Sequence, residues 1–77
     1  MPPKEGTWED RAKRFLKAEL KRADVTYEEL AKRLKKHGLE ETEASIANKM
    51  ARGTVPATFF LAVAKAIGLD SIRLEDV

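Results

Sequence analysis

The chain has no cysteine, one histidine, three prolines and four glycines in 77 residues. Without cysteine there is no disulfide framework and no thiolate metal site. His37 alone cannot assemble a metal cluster, so neither a metal nor another cofactor is expected. No apolar run approaches the roughly 20 residues that a membrane span needs. The N-terminal "MPPKEG" has no apolar signal core. A cytoplasmic chain without a membrane partner is the expectation. Also missing are a Gly-rich phosphate loop and the ligand spacings of known metal sites. Catalysis requires a nucleophile or base within reach of a partner. The single histidine lies among lysines at the end of a helical pattern, and nothing marks a pocket around Glu40, Glu41 and Glu43. No enzymatic activity is expected.

What is present is the balance of a folded soluble chain, 43% hydrophobic and 36% charged. The length suits one domain with a limited core. The formal net charge is +2, but it is unevenly spread. Residues 1–36 are net basic and residues 37–77 net acidic. The basic excess narrows to "RAKRFLKAELKR", where Arg11, Lys13, Arg14, Lys17, Lys21 and Arg22 face one acid, Glu19. Such a run is either a solvated helix face or a stripe that attracts polyanions.

The patterning is helical throughout. Residues 1–6 read as a flexible tail, since its prolines hold no regular element, and residues 7–77 as a single domain. Thr7 opens a helix over 8–23, with Glu9 and Asp10 at the positive end of its dipole. Trp8, Ala12, Phe15, Leu16, Leu20 and Ala23 form one apolar face. In "VTYEEL" the spacing of Thr26 and Glu29 predicts a capping box, and Val25 with Leu30 a staple. The second helix spans 27–37 and stops at Gly38. Thr42 caps a third helix over 43–52, with Ile46, Ala47 and Met50 inward and Ala44, Ser45, Asn48 and Lys49 outward. Gly53 ends it. Pro56 fits the first turn of a fourth helix over 56–67. That helix carries one charge, Lys65, so it should be central and buried on several sides. Phe59, Phe60, Val63, Ala64 and Ile67 form its most buried strip. Leu30, Ile46, Met50, Phe60 and Val63 are expected in the core. Leu69, Ile72, Leu74 and Val77 are apolar enough to dock, with a single turn near Leu74. "LEDV" itself reads as an element cut short, which leaves room for a further helix past Val77. The fold class is therefore all-α: four helices, or five with a terminal turn, in a compact domain.

Residues 16–68 resemble the phage-repressor (Xre/Cro-type) helix-turn-helix domains. The resemblance rests on "VTYEELAKRL" for the second helix, "SIANKMARG" for the third, Pro56, and "FLAVAKAIG" for the fourth. It is closer still to a small group of uncharacterised bacterial domains of that lambda-repressor-like architecture. The resemblance implies sequence-specific binding of double-stranded DNA and transcriptional regulation, with the third helix in the major groove and the second across the phosphates. Carried over residue by residue, Ala44, Ser45, Asn48 and Lys49 would meet bases, and Thr26, Tyr27 and Arg52 would meet phosphates. Lys13, Arg14, Lys17, Lys21, Lys32 and Lys36 would extend the phosphate track. Such domains usually act as dimers on half-sites one helical turn apart, although no dimerisation helix stands out here.

This chain departs from the pattern in three places. The segment between the second and third helices is longer. Tyr27 stands where the family often has Gln, and Ala51 where it often has Glu. The third helix also begins among acids, Glu40, Glu41 and Glu43. They suit the helix dipole but oppose entry into DNA tip first. The alternative is a protein-interaction module on the same helical scaffold.

Overall fold

A computed structural model describes residues 6–77. The flexible tail expected over 1–6 lies, except for Gly6, outside the described residues. Four α-helices are present: α1 (Trp8–Ala23), α2 (Tyr27–Lys36), α3 (Glu43–Arg52) and α4 (Ala57–Ala66). A single 3-10 turn follows at Leu74–Asp76. There is no strand among the described residues. The domain is compact, with a radius of gyration of 12.0 Å.

The helices start where hydroxyls can take the orphan amides of a first turn. Thr7 accepts from the Asp10 amide, Thr26 from Glu29 and Thr42 from Ser45, at 3.1, 3.1 and 3.0 Å. The capping box lies elsewhere than expected. Glu29 turns forward, and its carboxylate takes the Arg33 guanidinium at 3.1 Å. Arg33 also donates to the Ala66 carbonyl at 3.4 Å, tying α2 to the end of α4. The reciprocal box forms instead in α3, where Ser45 Oγ accepts from the Thr42 amide at 2.8 Å. Pro56 is the residue before α4 rather than its first, because its ψ of 153° is extended. His37 likewise flanks α2 rather than ending it. α1 ends on Asp24 in the left-handed region, at φ 59°.

α2 packs against α3 and α4, and α1 against α4. Leu16, Leu30, Leu34, Ile46, Met50 and Val63 are fully enclosed where these faces meet. Phe59 joins them at 2% exposure. Phe60, expected in the core, is only half-buried. It lies about 100° round α4 from the Phe59–Val63 column and stacks on Phe15, with centroids 5.8 Å apart. Ile67 is half-buried too, and α4 is not covered on all sides, since Leu61 is 64% exposed. Ala47, expected inward, is exposed because it lies off the Ile46–Met50 column. Trp8 and Ala23, assigned to the inner face of α1, are exposed at its ends. The Trp8 ring is covered by the Arg11 guanidinium at 3.9 Å.

The last segment docks through Val77, which is buried, while Leu74 points to solvent. Arg11 fixes it by donating from Nε and Nη2 to the Val77 carbonyl at 3.3 and 3.0 Å. Among the described residues no helix is long and apolar enough to cross a membrane.

Candidate functional site

The outer face of α3 is exposed among the described residues. Ile46 and Met50 turn inward against α2, which leaves Ala44, Ala47, Asn48, Ala51 and Arg52 exposed. The side chains of Asn48 and Arg52 make no hydrogen bond or ion pair among the described residues. Three of the five side chains are methyl groups, so a partner could approach the helix backbone closely. Arg52 closes the helix beside Gly53, whose φ of +74° sets the turn. A methyl group on Gly53 would lie 3.4 Å from Cβ of Glu9, so the end of α3 abuts the first turn of α1.

The other two outward candidates, Ser45 and Lys49, behave differently. Both are half-buried. Lys49 Nζ donates to both oxygens of Glu41, at 3.1 and 3.0 Å. Ser45 Oγ donates to Glu41 Oε1 at 2.6 Å. The Glu41 side chain is only 9% exposed, against 30% for Lys49. Lys49 also lies 5.5 Å from the centre of the Phe59 ring, a cation–π geometry. Of the three acids at the start of α3, Glu41 is therefore folded back onto the helix. Glu40 and Glu43 remain exposed.

Sequence reasoning named Glu41 as one of three acids at the start of the third helix, but not as the partner of Lys49 and Ser45. The signal was available as Glu41, Ser45 and Lys49, each four residues apart. That spacing aligns side chains along one helical column, and Glu41 joins the column from the loop just ahead of the helix.

A second surface lies at the start of α2. Lys17 and Lys21 from α1 share a shallow groove with Leu20, Val25, Thr26 and Tyr27. Thr26 is exposed and occupied as the cap, while Tyr27 is half-buried. Burial raises the Tyr27 phenol above its ordinary value. Lys17 and Lys21 are exposed and have no acidic partner among the described residues. The same holds for Lys32 and Lys36 on α2. Lys13 is half-buried and lies 3.7 Å from Asp10. Arg14 is exposed and donates to the Asp10 carbonyl at 3.4 Å. The basic candidates of α1 thus divide into Lys13 and Arg14, tied to Asp10, and the free pair Lys17 and Lys21.

No group of His, Cys, Asp and Glu among the described residues is arranged to hold a metal ion. No curated protein and no solved structure matches the chain. A family match does cover α1 to α4 and the segment after them: residues 8–72 match a domain of unknown function, DUF6471, and the chain belongs to that family.

Proposed function

We propose that this domain binds double-stranded DNA in a sequence-specific manner, as a transcriptional regulator, with α3 in the major groove. The observation that carries the reading is the α3 face of Ala44, Ala47, Asn48, Ala51 and Arg52, exposed and without internal bonds. Its alanines let the helix axis approach the groove floor. Ala methyl groups suit the methyl of thymine, and Asn48 can pair bidentately with adenine. Arg52, in the last turn, would reach a phosphate.

The groove at the start of α2 supports the same reading. Its first amides point outward, as at any helix N-terminus, with Lys17 and Lys21 beside them. Phosphate contacts of this kind fix register, and base contacts then specify sequence. Lys32 and Lys36 would extend the charged track along α2.

The other reading is a protein-interaction module. It is favoured by Glu41, which neutralises Lys49, and by the exposed Glu40 and Glu43 at the entry end of α3. The two readings differ in their response to salt. Each phosphate neutralised contributes about −0.9 to the slope of log affinity against log salt. Binding to a random-sequence duplex should therefore weaken about tenfold or more between roughly 50 and 200 mM salt. Absence of duplex binding, or an affinity that stays flat across this range, would favour the protein partner.

A further inference from the structure

We infer that Glu41 is an internal competitor for DNA, a residue that holds Lys49 away from phosphates and so lowers the affinity of the domain for duplex DNA of any sequence. The inference rests on the DNA-binding reading of α3. Lys49 is the only basic residue on α3 apart from Arg52. It projects from the column beside the free Asn48 face. Yet its ammonium is clamped by both oxygens of Glu41 at 3.0 and 3.1 Å.

The clamp is built rather than incidental. The Glu41 side chain is nine-tenths enclosed. One of its oxygens also takes the Ser45 hydroxyl at 2.6 Å, and that hydroxyl is locked into the capping box of α3. Glu41 is therefore tied to the start of the helix and does not swing freely with the loop. The Lys49 end is the more open of the two, at 30% exposure. Lys49 is thus the member that can leave.

A passing phosphate offers Lys49 one anionic contact in exchange for the two it already has. In that exchange no charge is newly neutralised, so non-specific binding gains little from Lys49. A guanine in register offers Lys49 two acceptors, N7 and O6, but both are neutral, and leaving a carboxylate for them costs as well. Glu41 therefore lowers affinity for duplexes of every sequence.

Four variants and two duplexes test this. The duplexes are a random-sequence one and one selected by the parent protein from a random library. E41Q keeps an acceptor for Ser45 and removes the charge that holds Lys49. It should bind the random duplex about three- to tenfold more tightly, with a salt slope steeper by about 0.9, one extra phosphate. Its affinity for the selected duplex should rise as well. E40Q makes the same change in net charge beside no lysine clamp, and should change random binding less than twofold. The double variant E41Q/K49Q should return to the random affinity of K49Q alone, because the gain runs through Lys49. A thermal melt confirms that each variant is folded at the assay temperature. If the parent binds duplex DNA and E41Q gains no more than E40Q, the competitor role is overturned while the DNA reading stands. If neither the parent nor E41Q binds any duplex, both fall together. If E41Q binds random duplex where the parent does not, the clamp is confirmed in its strongest form.

Discussion

Glu41 Oε2 lies 3.0 Å from Lys49 Nζ across a separation of eight residues, and Ser45 Oγ bridges the interval by donating to the other oxygen at 2.6 Å. The loop before α3 is thereby fixed to the middle of the helix. Lys49→Met would leave a mostly enclosed carboxylate with Ser45 as its remaining partner. The cost should be about 1–3 kcal/mol, between that of breaking a surface pair and a buried one. Chemical denaturation measures it, and a midpoint equal to the parent's would show that the pair contributes nothing. Lys49→Glu is a poor probe of DNA contact, because it sets two carboxylates against each other inside the domain.

Phe59 and Phe60 are adjacent in sequence and unequal in role. Phe59→Ala empties a site that is 2% exposed and should cost about 3–5 kcal/mol. Phe60→Ala removes a half-buried ring stacked on Phe15. It should cost at least about 1 kcal/mol less than Phe59→Ala, a gap of roughly 4–8 °C in melting temperature for a domain this size. Equal melting temperatures, or a lower one for the Phe60 variant, would contradict the placement of the α4 core column.

A side chain at Gly53 should destabilise the domain. Its φ of +74° is left-handed, which costs a non-glycine residue about 1–2 kcal/mol. A methyl group there would also press on Glu9 at 3.4 Å, whereas at Gly38, with φ +84°, it would meet nothing within 4 Å. Gly53→Ala should therefore melt below Gly38→Ala, and both below the parent. The reverse order would mean that α1 and the end of α3 are not in contact.

Tyr27 is the only tyrosine, so its ionisation can be followed by ultraviolet absorbance. Burial raises its folded-state pKa above the ordinary 10.0, which means the fold favours the neutral phenol. The unfolded chain ionises first. The contribution to stability is complete below about pH 10 and is lost as pH rises from there through the folded-state value. The absorbance midpoint should be higher in buffer than in denaturant. A midpoint at or below the denatured value would place Tyr27 in open solvent.

Much of this fold was legible because it is written in local grammar. Thr7, Thr26 and Thr42 marked the helix starts, and Gly38 and Gly53 the stops of the second and third helices, both glycines having positive φ. Ile46, Met50, Leu30 and Val63 were readable as core from their spacing. The choice between Phe59 and Phe60 was not, since a helix that is apolar on most sides does not say which column faces its neighbours. The end of α1 at Ala23 was read as it stands, although nothing in the sequence marked Asp24 for the left-handed region. At the candidate site, exposure of Ala44 and Asn48 followed from periodicity. The capture of Lys49 by Glu41 was only hinted at by the four-residue spacing of Glu41, Ser45 and Lys49, because Glu41 lies in the loop after α2 and periodicity does not set how that loop folds back.

The central claim is that the outer face of α3 enters the major groove while the start of α2 meets the backbone. Amide chemical-shift mapping of the labelled protein, titrated with a duplex selected from a random library, tests it most directly. The largest shifts should fall on residues 43–52, centred on Asn48, with a second group at Thr26 and Tyr27 and little change along α4. Asn48→Ala should then weaken the selected duplex by about 1–3 kcal/mol while leaving random-sequence binding nearly unchanged. Shifts confined to the basic face of α1, with α3 silent and Asn48→Ala without effect, would contradict the account.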